Sequence, residues 1–164
     1  MQVPVRSKGD HRVSDPLYFD DLTIGQVFMS RMQVVERDRI VAFGEEFDPQ
    51  PQHLSEEAAR DSMFGELVAS GWHTAGITMR LQLESLMGRF PGGTLGAQID
   101  KLAWLRPVRP GDLLRAQAEI LELRLSKSRP DRGLVTMRTT TLNQRDEEVQ
   151  VMTATVMTPR RPQG

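Results

Sequence analysis

The spacing of apolar residues changes near residue 94, where helical periodicity gives way to stretches of alternation. In the first half, four apolar residues recur at roughly helical spacing: Ile40, Val41, Phe43 and Phe47. They predict a helix over about residues 36–46, after a strand over residues 24–35, where β-branched and polar residues mix. Because a residue before proline is pushed out of the helical region, this helix should end at or just before Asp48.

Two more helices are predicted before the change. Ser55 is followed by two glutamates and two alanines. A serine cap with acidic residues in the first turn is a typical helix start, so a short helix is expected over about residues 55–62. Residues 70–90 form a longer segment that is apolar around most of its circumference, which indicates a buried helix. The proline and glycines at 91–93 end it.

The second half of the chain predicts an antiparallel sheet. Four segments are rich in Val, Thr, Leu and Ile: 94–108, 112–128, 133–144 and 147–160. The turn sequences RPDRG and QRDEE join the last three of them by short connections, which predicts an antiparallel meander. A buried helix with a long antiparallel sheet favours an α+β fold, in which the sheet wraps around the helix.

Length and composition fit one ordinary globular domain. The chain has 164 residues, of which 38% are hydrophobic and 26% charged. We expect residues 17–159 to form this single domain, with a flexible N-terminal segment at 1–16 and a tail at 160–164.

The charge balance and the residue types narrow the function. The formal net charge is −1, so nucleic acid is not an expected partner. The absence of cysteine excludes disulfides, thiol nucleophiles and thiolate metal sites. Because no apolar run is long enough for a signal peptide or a membrane span, we expect a cytoplasmic location and no membrane partner.

The stretch FGEEFDPQPQH contains the strongest candidate chemistry. It places Asp48 and His53 five residues apart, with Pro49 and Pro51 between them. Each proline fixes its own φ near about −65° and restricts the residue before it. The spacing suits a plain turn, but it also suits a rigid bracket that aims a carboxylate and an imidazole at one point. Both groups exchange protons near neutral pH.

A helix N-terminus is the second candidate feature. Gly71 begins the predicted buried helix, where free backbone N–H groups and the helix dipole favour an anion. Glycine also permits a close backbone approach. The Gly71 N–H is therefore a candidate oxyanion donor, and Ser70 before it is a natural N-cap. Ser70 and Gln50 are grouped with Gly71 as candidate substrate-binding residues.

Three segments, in this order, resemble the MaoC-like dehydratase family. Asp48, Gln50, Pro51 and His53 fall in register with the family's signature G-D-x-N-P-x-H, with Gln50 in place of Asn. The stretch VASGWHTAGI is similar to A-H-G-M-x-T, and LAWLRPVRPGDLL is similar to R-F-x-x-P-V-x-P-G-D-x-L. The resemblance covers about residues 18–158.

The resemblance implies a hotdog fold and a hydratase of the (R)-specific enoyl-CoA type. Water would be added or removed across the C2–C3 bond of an acyl-CoA thioester. It implies Asp48 and His53 as the acid/base pair, with Gln50 orienting the water or the carboxylate. No cofactor is expected, because coenzyme A is part of the substrate. A homodimer or higher oligomer is implied, with the coenzyme A tunnel at the subunit interface.

Some assignments stay open at this stage. A hotdog thioesterase, in which Asp48 activates water, and a non-catalytic acyl-CoA-binding dimerisation module are the alternatives to hydration. His73 competes with His53, although a packed, hydrogen-bonded role fits it better. No metal site is expected. The basic turn around residue 129 is a weaker candidate for the coenzyme A phosphates; its cations are Lys127, Arg129 and Arg132.

Overall fold

Six strands form the sheet in the computed structural model, which describes residues 15–163. In chain order they are β1 (Val27–Met29), β2 (Gln33–Val34), β3 (Leu95–Trp104), β4 (Leu113–Leu125), β5 (Arg132–Leu142) and β6 (Glu148–Pro159). The strand order is β1-β4-β5-β6-β3, and β2 also pairs with β4. All pairings are antiparallel. The predicted meander of the last three strands is confirmed.

The strand predicted over residues 24–35 is divided in the structure. β1 pairs with β4 around residues 117–119, whereas β2 pairs with the start of the same strand. Between them, Ser30 replaces regular pairing, because its N–H donates to the Ala116 carbonyl and its hydroxyl accepts from the Ala116 N–H. The predicted strand conformation is confirmed, but the segment forms two short strands instead of one continuous strand.

Three α-helices lie in the described residues: α1 (Arg37–Phe47), α2 (Glu56–Ala59) and α3 (Gly71–Ser85). The predicted starts of α2 and α3 are confirmed by their serine caps. The Ser55 hydroxyl accepts from the Ala58 N–H, and the Ser70 hydroxyl accepts from the Trp72 N–H. α2 ends earlier than predicted. No helix in the described part of the chain is long and apolar enough to cross a membrane.

α3 packs on the concave face of the sheet, which confirms the α+β hotdog arrangement expected above. Ile77 and Leu81 lie in one core cluster with Leu114 and Val149 of the sheet. This burial removes apolar surface from water and fixes α3 against the strands. A second cluster, around Ile120, fills the other end of the sheet.

One side of α3 contradicts the prediction of a helix buried almost all round. Trp72, Met79 and Leu83 recur along one stripe of the helix and are 60%, 43% and 43% exposed. Their positions follow the spacing of one helix face, and only the opposite face meets the sheet. The amino-acid pattern was apolar on both faces, so it did not distinguish the two.

The two ends of the chain were predicted to be a flexible segment and a tail. The predicted N-terminal segment lies mostly outside the described residues. The tail is not loose at its start, because Arg160 binds Asp20 and Arg161 binds Asp21 through their guanidinium groups. Those aspartates directly follow Phe19, whose side chain is buried, so the first residues of the tail are held on the domain.

Neighbouring residues of β4 give a test of which side of the sheet forms the core. Ile120 is 0% exposed and Leu121 is 38% exposed. Ile120→Ala should lower the free energy of unfolding by about 2–5 kcal/mol, because it leaves a cavity in the core. Leu121→Ala should cost less than about 1 kcal/mol. Urea unfolding of both variants measures this difference, and equal losses would contradict the assignment.

Candidate active site

The end of α1 leads directly into the candidate site. The Asp48 N–H donates to the Gly44 carbonyl at 3.0 Å, and the backbone then leaves the helix with φ −147° and ψ 69° at Asp48. The prediction that the helix ends at this residue is confirmed to within one position. After it, Pro51–His53 form a single 3-10 turn with proline in the first position. The His53 N–H donates to the Gln50 carbonyl at 2.9 Å, which ties the turn to the chain before it.

A glycine brings the helix and this turn into direct contact. A Cβ added at Gly44 would lie 2.5 Å from the His53 carbonyl oxygen and 2.9 Å from its Cβ. Only a residue without a side chain fits at this distance. Close packing of α1 against the turn therefore sets the position of His53 relative to Asp48.

Two donors hold the Asp48 carboxylate. The Gln50 amide donates to Oδ1 at 2.7 Å, and the Ser70 hydroxyl donates to Oδ2 at 2.7 Å. Hydrogen bonds to the charged form favour it. Donation first from Gln50 and then from Ser70, with the nearby His53 adding to them, lowers the pKa of Asp48 below its ordinary value. The carboxylate is therefore ionised at neutral pH.

The buried imidazole of His53 has a defined tautomer. Its Nδ1 lies 2.7 Å from the Val68 carbonyl oxygen. A carbonyl can only accept, so Nδ1 carries a proton and, in the neutral ring, Nε2 has the free lone pair. That Nε2 lies 3.3 Å from Asp48 Oδ2. The structure thus brings together the carboxylate and the imidazole that the sequence singles out.

The start of α3 completes the same site. The Ser70 hydroxyl donates to Asp48 while it accepts from the Trp72 N–H at 3.3 Å, so the capping residue also binds the carboxylate. The sequence predicted the cap and a place among the substrate-binding residues, but not the bond to Asp48. Among the described residues, nothing accepts a hydrogen bond from the Gly71 N–H. A Cβ at Gly71 would lie 2.5 Å from the Trp104 ring, so an indole covers the side of the glycine where a side chain would point.

These groups lie in a cavity of about 420 Å³. The polar groups of Asp48, Gln50, His53 and Ser70 line one side of it. Thr74 and Arg106 also line it, and most of the other lining side chains are apolar: Phe64, Val68, Trp72, Trp104, Leu105, Pro107 and Val108. A mostly apolar cavity with a few converging polar groups is typical of a small-molecule site.

Other residues singled out by the sequence lie elsewhere. Lys127, Arg129 and Arg132 lie at the β4–β5 turn and do not line this cavity, and their role toward coenzyme A stays a prediction. His73 stacks on Phe43 at 5.0 Å between ring centroids. Its Nδ1 is buried without a partner in the described part of the chain, so the expected hydrogen bond is absent.

Sequence reasoning missed Trp104, which was assigned only as part of a strand. The alternation of β3 shows nothing unusual at this position. Its contact with Gly71 arises from the packing of the strand end against the start of α3. No group of three His, Cys, Asp or Glu residues within 15–163 has the arrangement of a metal site.

Two capping serines allow a matched test of the carboxylate's environment. Ser70→Ala removes a donor to the Asp48 carboxylate and should raise its pKa, because the charged form loses a hydrogen bond. Ser55→Ala removes a similar helix cap that does not contact Asp48, so it should leave that pKa unchanged. Carboxyl-carbon NMR titration measures both. An unchanged Asp48 pKa in Ser70→Ala would contradict the hydrogen bond.

Known proteins match both the sequence and the fold. The chain is 34% identical over 132 residues to the uncharacterized protein YdeM of Bacillus subtilis, covering 79% of this chain and 90% of that protein. It is 34% identical over 109 residues to the 3-hydroxybutyryl-CoA dehydratase of Methylorubrum extorquens, covering 65% and 66%.

A solved structure agrees over nearly its full length. The MaoC-like dehydratase from Rhodospirillum rubrum superimposes with a TM-score of 0.83 and 52% sequence identity, covering 90% of this chain and 99% of that chain. The family described as MaoC like domain matches residues 20–143, which include Asp48, His53, Gly71 and Trp104. The chain therefore belongs to the MaoC-like domain family.

Proposed function

We propose that this protein is a hydro-lyase that adds or removes water across the C2–C3 bond of an acyl-CoA thioester. The observation that carries the proposal is the pairing of the Asp48 carboxylate with His53 Nε2, 3.3 Å apart, in a cavity that Gly71 also lines. The relative from Methylorubrum extorquens is named as a dehydratase of 3-hydroxybutyryl-CoA, which supports this reaction class.

Nε2 of His53 is the atom of the pair that we assign as the proton acceptor, because Nδ1 is engaged by the Val68 carbonyl. The low pKa of Asp48 makes its carboxylate a weak base. In hydration, water bound between the two side chains attacks C3 and gives its proton to the free Nε2 of His53. The adjacent Asp48 carboxylate stabilises the imidazolium that forms and orients the water. The same imidazolium then returns the proton to C2, so the elements of water are added to one face of the double bond.

Attack at C3 moves negative charge onto the thioester oxygen, which becomes an enolate oxygen. In the proposed reaction, the Gly71 N–H at the start of α3 donates to that oxygen, and the helix dipole favours the charge. The same three groups serve dehydration in reverse: His53 takes the C2 proton and then protonates the leaving hydroxyl. The Asp48–His53 pair carries this proposal, because a hydrolase of the thioester would need water at the carbonyl instead of at C3.

A homodimer is part of the proposal. β3 is an edge strand of ten residues, and its side chains are largely exposed, with Leu95 60% and Ile99 59% exposed. The exposed stripe of α3, formed by Trp72, Met79 and Leu83, lies beside it. A long, apolar edge strand is a template for pairing with another chain. Pairing of β3 with β3 of a second copy would extend the sheet and place the second copy across both surfaces, so that the groove between them becomes an enclosed cavity.

Substitutions at the pair test the reaction. Asp48→Asn and His53→Gln should each lower kcat/KM for hydration of an enoyl-CoA by about a hundredfold or more, because proton transfer is lost. Loss of the conjugated thioester's absorbance measures hydration. His73→Gln is the matched control, since His73 does not line the cavity, and it should keep the wild-type rate.

Two results would redirect the assignment. Release of free coenzyme A that persists in His53→Gln would identify a thioesterase. An unreactive wild type that still binds acyl-CoA would identify a binding module. Circular dichroism establishes that each variant is folded before its rate is compared.

The dimer is tested on its edge strand. Ile99→Lys places a charge on β3 and should shift the protein from dimer to monomer in sedimentation velocity. Leu125→Lys is a matched control, because Leu125 is 54% exposed at the end of β4, away from this edge. It should leave the dimer intact. A wild type that sediments as a monomer would overturn the proposed interface.

A further inference from the structure

Trp104 forms one wall of the site beside the proposed oxyanion donor. Its ring lies where a Cβ of Gly71 would point, and it meets Trp72 edge-on with ring centroids 5.2 Å apart. An acyl group whose thioester oxygen sits at the Gly71 N–H therefore has this indole next to it. The indole fills space that an acyl chain would otherwise enter.

A chain of hydrogen bonds holds the indole in place. Its Nε1–H donates to the Gln150 side-chain oxygen at 2.9 Å, and the Gln150 amide donates to the Thr78 hydroxyl at 3.2 Å. Thr78 also shares a hydrogen bond of 2.7 Å with Thr141. Gln150, Thr78 and Thr141 are all 0% exposed. A buried polar network whose members are bonded to one another gives side chains defined orientations, so Trp104 is a fixed wall.

A second cavity lies beyond this wall. It has a volume of about 570 Å³, and its lining is mostly apolar side chains from α3, the 3-10 turn after it, β3, β5 and β6: Met79, Leu83, Met87, Ile99, Met137, Met152 and Val156. Met79 follows Thr78 in the helix, and Met152 lies two residues after Gln150 in the same strand. The two cavities have no lining residue in common within the described chain. In α3, residues 71, 72 and 74 line the first cavity and residues 79, 82 and 83 line the second, so Thr78 lies between the two stretches. In β3, Trp104 lines only the first cavity and residues 96–99 line only the second, so the indole lies on the side of the first cavity that faces the second.

The distance between the cavities corresponds to a long acyl chain. Met79 lies eight residues after Gly71 in α3, which is about 12 Å along the helix axis at about 1.5 Å per residue. A four-carbon acyl group held at Gly71 ends well before that point. A chain of eight or more carbons would have to pass the indole to reach apolar surroundings.

We infer that Trp104 restricts this enzyme to short acyl chains and keeps the second cavity from receiving longer ones. The inference rests on the proposed function, since it names the substrate class of the same site. Trp104 is a specificity-determining residue in it. The indole excludes a longer chain by occupying its path, and the bond to Gln150 prevents it from turning aside.

The experiment compares chain lengths in the full-length protein. Hydration of four-, eight- and twelve-carbon 2-enoyl-CoA thioesters is measured for wild type, Trp104→Ala and Trp104→Leu. The wild type should prefer the four-carbon substrate. In both variants the ratio of kcat/KM for eight to four carbons should rise by about tenfold or more, because each methylene admitted to an apolar cavity is worth roughly that factor or more.

Binding provides a readout that does not depend on turnover. Calorimetry with butyryl-, octanoyl- and lauroyl-CoA should show the same change of preference in the dissociation constants. Trp104→Phe keeps a ring in place and should retain the preference for short chains. Leu125→Ala removes an apolar side chain that is 54% exposed and lines neither cavity, so the ratio between chain lengths should not change.

The outcomes separate the inference from the proposed function. A wild type that hydrates or binds all chain lengths equally would overturn the inference and leave the reaction intact. Folded Trp104→Ala and Trp104→Leu variants with the wild-type profile would do the same. A third outcome is that no substrate is hydrated, but the wild type binds the short chain best and both variants lose this preference. It would overturn the proposed reaction and retain the role of Trp104 as a wall.

Discussion

The hydrogen bond from the Ser70 hydroxyl to the Asp48 carboxylate is the interaction on which the site depends. It joins two segments 22 residues apart, the end of α1 and the start of α3. On one side, the 3-10 turn after Asp48 carries His53; on the other, the first free N–H of α3 belongs to Gly71. The turn also bonds to Val68, two residues before Ser70, but among the described residues the Ser70 bond alone ties the Asp48 carboxylate to the start of α3.

Local rules predicted the parts of the site that depend on neighbours in sequence. The proline after Asp48 ends α1, and serine caps begin α2 and α3, because each effect acts within a few residues. The sheet and its meander followed from alternation and turn residues in the same way. The match to the MaoC-like family signature then identified Asp48 and His53 as a pair from the sequence alone.

The remainder required tertiary contacts. The double role of Ser70 arises because α3 packs beside the end of α1, and nothing in its own neighbourhood distinguishes a cap from a cap that also binds a carboxylate. Trp104 has the same character: a strand residue by pattern, it becomes a cavity wall because β3 ends over Gly71. The exposed stripe of α3 escaped prediction because an apolar helix face packs equally well on its own sheet or on another chain.

The donors that position the carboxylate also determine how the proposed chemistry divides between the two side chains. Each hydrogen bond that Gln50 or Ser70 gives to Asp48 makes the anion more stable and a weaker base. Accurate placement and strong basicity therefore cannot both reside in Asp48. His53 has the complementary arrangement, because the Val68 carbonyl engages only Nδ1 and leaves the Nε2 lone pair toward the cavity. One group is held as an anion while the other remains free to exchange a proton, and this division follows from which atoms the fold leaves unbonded.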